Sequence, residues 1–120
     1  MSRIFISYSR SDIQFVDELV PLLAAIFTQH VVWYDDRIVG GEDWWQRILR
    51  EISTCDLFIY LLSDESLESP YCQAEFREAL RLHKRCLPVI VRPKTDVSRT
   101  QQDLEAELRR RNWVDMSAGF

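Results

Sequence analysis

The stretch Leu57-Phe58-Ile59-Tyr60-Leu61-Leu62 decides the fold class, because it is apolar at every position rather than at every second one. A strand with a single buried face alternates apolar and polar residues, whereas a strand covered on both faces reads as a continuous apolar run. This stretch therefore predicts a central strand of a parallel sheet that carries helices on both faces.

Shorter apolar runs before and after this stretch predict four more strands, at residues 4–6, 31–34, 87–91 and 113–116. Patterns with helical spacing lie between the five strands, so the chain alternates strand and helix throughout. Parallel strands joined by helices require right-handed crossovers. The sequence therefore predicts an α/β, flavodoxin-like three-layer sandwich with a five-stranded parallel sheet in the order 2-1-3-4-5.

Local signals place the helix ends. A capping-box pattern at residues 11–14 predicts the start of the first helix. Pro21 lies within its apolar stripe, which extends to Phe27, and predicts a kink or break. Ser69 followed by Pro70 predicts the cap and first residue of a third helix that runs to about residue 84. The second and last helices are expected near residues 42–52 and 102–111.

The third helix carries a carboxylate close to the predicted ligand crevice, which opens at the carboxyl ends of strands 1 and 3. Glu75 lies at the flank of an apolar stripe. The stripe comprises Cys72, Phe76, Ala79, Leu80 and His83. No Lys or Arg stands three or four residues from Glu75 on its own helix. Such a half-buried carboxylate is expected to have a raised pKa, which is a signature of functional sites. The alternative is a solvated glutamate on a helix flank.

Hydroxyl and guanidinium groups follow strand 1 at the same crevice. Ser7, Tyr8, Ser9 and Arg10 could together hold a phosphate or a ribose. The alternative is ordinary helix capping by Ser9 or Ser11.

The segment after strand 2 mixes acidic residues, apolar residues and glycines. It is either a mobile contact loop or a solvated turn before a helix. Its residues include Asp35, Asp36, Arg37, Val39, Gly40 and Gly41. Trp44 and Trp45 follow it. Adjacent residues cannot share one helix face, so one indole is expected in the core and the other near the surface or a partner.

Composition excludes several classes of function. The formal net charge of −4 argues against a nucleic-acid partner. No apolar run approaches the roughly 20 residues that cross a membrane, and no signal peptide is expected. Three cysteines without metal or redox spacing indicate a reduced, cytoplasmic setting. Neither GxGxxG nor a P-loop occurs, and the two histidines are isolated, so a dinucleotide cradle and a metal site are not expected.

Three segments together resemble the Toll/interleukin receptor (TIR) domain family. Residues 5–12 (FISYSRSD) are similar to the first box of that family, and residues 35–44 resemble its second, loop-forming box. Ser63 followed by residues 69–75 (SPYCQAE) resembles its third-helix motif. The match covers nearly the whole chain in the right order and looks like the prokaryotic type. Residues 1–120 then form one TIR domain, expected to be the N-terminal module of a longer protein because no helix pattern follows the fifth strand. The alternative is that the fold tolerates an uncovered patch on one face of the sheet.

The resemblance implies that Glu75 matches the catalytic glutamate of TIR enzymes that hydrolyse the nicotinamide–ribose bond of NAD. NAD is then a substrate and not a cofactor, and the product is ADP-ribose or a cyclised form. Family pockets also use positions that correspond here to Tyr8, Ser9, Arg10, Trp44 and Tyr71. Family enzymes often act only when assembled, through the loop at residues 35–44. The alternatives are a non-catalytic TIR–TIR interaction module and, more remotely, a flavodoxin-type FMN carrier.

Overall fold

The computed structural model describes residues 2–26, 30–34 and 42–119. Its strands are β1 (Ser2–Ser7), β2 (His30–Tyr34), β3 (Leu57–Leu62), β4 (Arg85–Ile90) and β5 (Val114–Asp115). Its α-helices are α1 (Ile13–Ile26), α2 (Glu42–Thr54), α3 (Asp64–Glu68), α4 (Pro70–Arg81) and α5 (Gln102–Arg109). Two short 3-10 turns lie at Arg10–Asp12 and Val97–Arg99.

The five strands form one parallel sheet in the order β2-β1-β3-β4-β5, which confirms the predicted fold class and strand order. β3 lies at the centre, and five of its six residues are buried, as its continuous apolar run predicted. Because β1 and β3 are parallel neighbours, their carboxyl ends meet at the same edge of the sheet. The segments after both strands therefore start side by side.

Two apolar cores cover the two faces of the sheet. On one face Phe5 and Phe58 stack with ring centroids 5.3 Å apart, and α2, α4 and α5 pack over them. On the other face Ile4 and Ile6 pack under α1. Alternate residues of β1 thus point to opposite helical layers, as the pleat of a strand requires.

The first helix differs from its prediction both at its start and at Pro21. The capping box at residues 11–14 was wrong: residues 10–12 form a 3-10 turn, and the helix begins at Ile13. Ser9 makes no side-chain cap, and its hydroxyl instead lies 3.0 Å from the hydroxyl of Ser11. The break at Pro21 was also wrong, because α1 continues to Ile26. Pro21 is exposed, so water can hydrate the carbonyl that lacks an N–H partner.

The segment after β3 contains a short helix that the sequence analysis did not predict. Ser63 and Ser66 cap α3 reciprocally, each hydroxyl accepting from the other residue's N–H. The predicted start of the next helix is confirmed, since Ser69 caps α4 at Pro70. The predicted end of this helix, at about residue 84, was wrong. The helix stops at Arg81, and His83 has a positive φ of 56° and an exposed side chain, so His83 does not belong to the apolar stripe.

Lys84 caps the carboxyl end of α2 from the loop after α4. Its Nζ donates to the carbonyl oxygens of Ser53 at 2.7 Å and Cys55 at 2.9 Å. A cation at a helix C-terminus satisfies carbonyls that have no partner within the helix. We expect Lys84→Met to lower the free energy of unfolding by about 1 kcal/mol in urea denaturation. Lys94→Met is the matched control, because Lys94 is exposed. Equal effects of the two substitutions would contradict this capping role.

Candidate active site

Ser7 and Glu75 meet at the carboxyl end of β1. Ser7 is the last residue of that strand and lies two residues after Phe5, so its side chain points to the layer that contains α4. Its Oγ donates a hydrogen bond to Glu75 Oε1 at 2.8 Å, and both residues are buried. The structure thus places the predicted carboxylate at the predicted edge of the sheet, in contact with the last residue of β1.

Glu75 lies deeper than the helical pattern predicted. Its side chain is not half-buried, because the residue is only 1% exposed. The reason is tertiary packing: α2 and α3 both contact α4, so the flank of the helix is covered as well as its apolar stripe. A carboxylate in such surroundings interacts strongly with any charge that develops near it, because little water screens it.

Tyr60 is a further polar side chain close to Glu75. Its hydroxyl donates to the carbonyl oxygen of Ser66 at 3.1 Å. Burial raises the pKa of Tyr60 well above its usual value, and the nearby Cys72 and Glu75 raise it further. The phenol therefore stays protonated as a hydrogen-bond donor at neutral pH.

A second buried carboxylate lies at the same edge of the sheet. Asp12 accepts from Ser63 Oγ at 2.5 Å through Oδ2, and from Arg92 Nε at 2.7 Å through Oδ1. The side chain of Asp12 is 0% exposed. Its hydrogen bond and its charge raise the pKa of the Arg92 guanidinium. This cluster joins the segments that follow β1, β3 and β4.

Sequence reasoning missed the cluster of Asp12, Ser63 and Arg92 as part of a site. Asp12 and Arg92 are 80 residues apart, so no local pattern connects them. The available signal was topological, because the three residues follow strands 1, 3 and 4, whose carboxyl ends share one edge.

The three residues predicted to bind substrate after β1 take different positions. Tyr8 is buried on the opposite face of the sheet, within the core under α1. Ser9 is half-buried and Arg10 is exposed in the 3-10 turn. Of the three residues, Ser9 and Arg10 therefore present polar groups towards solvent at this edge, and Tyr8 does not.

Trp44 and Tyr71 form an aromatic pair between the first turns of α2 and α4. Their ring centroids lie 5.3 Å apart in an edge-to-face arrangement, and Tyr71 is 51% exposed. The expected division of Trp44 and Trp45 into one core and one surface indole was wrong. Both are half-buried, lie 6.0 Å apart and pack against the same core, because the first turn of α2 lies at its margin. The predicted partner-loop residues lie outside the described residues, namely Asp35, Asp36, Arg37, Val39, Gly40 and Gly41.

A separate cleft of about 690 Å³ lies between α4 and α5, towards the amino ends of β4 and β5. Its lining includes Arg77, Arg81 and Arg111. These arginines already pair with carboxylates, namely Asp103, Glu78 and Glu107 respectively. The cleft does not include Glu75, so we do not assign it to the candidate active site.

Other kinds of site are not found in the part of the chain that the structure describes. Within residues 2–26, 30–34 and 42–119, no three His, Cys, Asp or Glu side chains are grouped as a metal site would require. None of the described helices has the length and apolar character needed to span a membrane.

Residues 4–120 match the family model described as TIR domain. The chain therefore belongs to the TIR domain family, as its three boxes and its fold indicated. A curated relative, an uncharacterized protein y4lF of Sinorhizobium fredii (strain NBRC 101917 / NGR234), is 33% identical over 99 residues. That alignment covers 77% of this chain but only 31% of the relative.

Solved structures with very different sequences share the fold. The TIR domain of the Toll-related receptor TRR-2 from Hydra magnipapillata superposes with a TM-score of 0.71 at 15% identity, covering 93% of this chain and 82% of that chain. The CMP N-glycosidase BcmB of Clostridium botulinum superposes with a TM-score of 0.69 at 14% identity, covering 97% and 89% respectively. At these identities the likeness shows the fold alone.

Proposed function

We propose that this TIR domain hydrolyses the nicotinamide–ribose N-glycosidic bond of NAD, with Glu75 as its catalytic carboxylate. The observation that carries the proposal is the burial of Glu75 at the carboxyl edge of the sheet, where Ser7 orients it by a 2.8 Å hydrogen bond. Ligands of open α/β sheets bind at this edge, next to the switch in strand order. The fold also occurs in a protein described as a CMP N-glycosidase, which supports chemistry at an N-glycosidic bond.

The proposed mechanism needs only one carboxylate. Cleavage of an N-glycosidic bond passes through an oxocarbenium-like state with positive charge on the ribose. A carboxylate held in a poorly hydrated site stabilises that charge and accepts hydrogen bonds from the ribose hydroxyls. The nicotinamide ring of NAD carries a positive charge and takes the bonding electron pair as it leaves, so it departs as a neutral molecule and no general acid is required. Attack of water on this ribose carbon forms the new C–O bond of ADP-ribose and releases a proton. Attack on the same carbon by a nucleophilic atom elsewhere in the ADP-ribosyl group forms a cyclic product instead.

The remaining substrate contacts follow from the polar and aromatic groups at this edge. Ser9 and Arg10, which follow Tyr8 in the chain, can donate hydrogen bonds to the phosphates of NAD. Trp44 and Tyr71 offer aromatic surface on which one of its bases can stack. NAD acts as a substrate, and no cofactor is required. We place the activity in the cytoplasm, as part of a bacterial immune or signalling response.

Ser7→Ala tests whether the hydroxyl orients the catalytic carboxylate. We expect the substitution to lower kcat by about 10- to 100-fold, because a hydrogen bond to a charged group contributes about 1.5–3 kcal/mol. Nicotinamide release from NAD is the measurement. Ser53→Ala is the control, since that hydroxyl donates to a carbonyl of its own helix at 2.7 Å. Turnover of Ser7→Ala equal to that of the control would contradict the orienting role.

Self-association is the proposed trigger of the activity. A substrate can touch Glu75 only after neighbouring groups move, because the residue is almost fully buried in the single chain. Contact between copies would supply that movement, through the loop at residues 35–44. We therefore expect nicotinamide release per molecule to rise with protein concentration. A rate strictly proportional to concentration, from dilute to artificially clustered protein, would contradict the assembly requirement.

A second candidate is a TIR–TIR interaction module without catalysis. The same burial favours it, because a carboxylate that accepts from Ser7 inside the fold could serve structure alone. The two candidates differ in one result: the interaction module releases no nicotinamide at any degree of clustering.

A further inference from the structure

The segment from residue 7 to residue 12 is fastened at both ends by buried hydrogen bonds. At its start, Ser7 donates to Glu75. At its end, Asp12 accepts from Ser63 and from Arg92. The residues between these anchors include the proposed substrate contacts Ser9 and Arg10. The geometry of the segment therefore depends on groups that lie far from it in the sequence.

Of these contacts, the one made by Arg92 joins the residues that lie furthest apart in the sequence. It lies two residues after β4 and bonds to the segment twice, through Nε to Asp12 Oδ1 and through Nη2 to the carbonyl oxygen of Ser11, each at 2.7 Å. A planar guanidinium with two fixed N–H directions holds both orientation and distance, which a single flexible cation does not. The carboxylate it contacts is fully buried, so the contact is shielded from water on one side.

Two further contacts lie within the segment itself. The N–H of Asp12 donates to the carbonyl of Ser9 at 2.8 Å, and the hydroxyls of Ser9 and Ser11 lie 3.0 Å apart. Both contacts shape the turn internally. Asp12, Ser63 and Arg92 instead connect the turn to the ends of β3 and β4.

We propose that Arg92 is a positioning residue: through Asp12 and Ser11 it holds the 7–12 segment in the conformation that receives the substrate. This inference rests on the proposed NAD cleavage. Arg92 acts on the segment that binds substrate and not on Glu75. Its loss should therefore weaken substrate binding more than it slows the chemical step.

The test compares Arg92→Gln with Arg99→Gln. Arg99 is a matched control because it is equally exposed, 50% against 51%, and also bonds to carboxylates, namely Asp64 and Glu68. Both of its partners belong to α3, and not to the 7–12 segment. We expect Arg92→Gln to raise the KM for NAD about tenfold with kcat changed less than about twofold, and Arg99→Gln to change neither. Clustered protein is used throughout.

Hydrogen exchange gives a readout that does not depend on activity. Amide exchange in a peptide that covers residues 7–12 should be faster in Arg92→Gln than in the wild type, and unchanged in Arg99→Gln. Arg92→Lys should be intermediate in KM and exchange, because lysine can reach Asp12 but lacks the second fixed N–H for Ser11. Thermal unfolding is used to check that each variant is folded. If Arg92→Gln does not fold, Arg92→Lys replaces it in the comparison of KM and exchange rate.

The outcomes separate this inference from the proposed function. Equal KM values and equal exchange rates for Arg92→Gln and Arg99→Gln, with an active wild type, would overturn the positioning role alone. A wild type that releases no nicotinamide overturns the proposed function, and the exchange rates then decide whether Arg92 fixes the segment. Faster exchange without a change in KM would also contradict the role, because the segment's conformation would not matter for binding.

Discussion

Glu75→Gln is expected to reduce nicotinamide release from NAD by about 100- to 1,000-fold. The neutral amide retains an acceptor for the Ser7 hydroxyl, so the fold around it should persist. It removes the negative charge that stabilises the developing positive charge on the ribose, and such preorganised electrostatic groups contribute about 100- to 1,000-fold each. The measurement is single-turnover nicotinamide release by clustered protein, with thermal unfolding as a check on folding.

Glu78→Gln is the matched control for this substitution. Glu78 lies one turn further along α4, near the surface, and pairs with Arg81. It carries the same charge on the same helix but lies away from the buried Ser7–Glu75 contact. We expect its activity to stay close to that of the wild type. Comparable activities of the two variants would show that the charge of Glu75 plays no part in turnover.

Phe76→Ala is expected to lower the free energy of unfolding by about 3–5 kcal/mol. Phe76 is fully buried next to Glu75 in sequence, and its ring centroid lies 6.2 Å from that of Phe58 and 5.1 Å from that of Tyr60. The substitution leaves a cavity where α4 packs on the central strand. For a domain of ordinary marginal stability, this loss removes a large part of the total. The measurement is urea denaturation, in which the slope of the unfolding free energy against urea concentration should be the same for the variant and the wild type.

Tyr71→Ala provides the comparison for stability. Tyr71 is an aromatic residue of the same helix, but about half of it is exposed, so its truncation opens no closed cavity. We expect it to lower the free energy of unfolding by about 1 kcal/mol. A loss for Phe76→Ala no larger than that for Tyr71→Ala would contradict the assignment of Phe76 to the centre of this core.

The sequence predicted the fold most reliably where an element is apolar on both faces, because such an element has to be buried on both sides. β3 has the bounds that its uninterrupted apolar run indicated, and its central place in the sheet agrees with the 2-1-3-4-5 order. The failures lie in short elements and at helix ends. α3 has only five residues, too few for helical periodicity to be visible. The end of α4 depends on the left-handed backbone of His83, which no residue type at that position signals.

The candidate site followed from the sequence only in part. Helical spacing and strand order were sufficient to place Glu75 at the edge of the sheet beside the end of β1. They underestimated its burial, because the covering of both flanks of α4 depends on α2 and α3. They also missed the contact between Asp12 and Arg92, since it joins residues 80 positions apart. Local patterns identify single residues, whereas tertiary packing determines which of them meet.

Product analysis of NAD incubated with artificially clustered wild-type protein tests the proposed function most directly. The expected result is release of nicotinamide together with an equal amount of ADP-ribose or its cyclic form, at a rate per molecule above that of dilute protein. If folded, clustered protein leaves NAD intact, this domain is not an NAD-cleaving enzyme, and the buried Glu75 has a structural role.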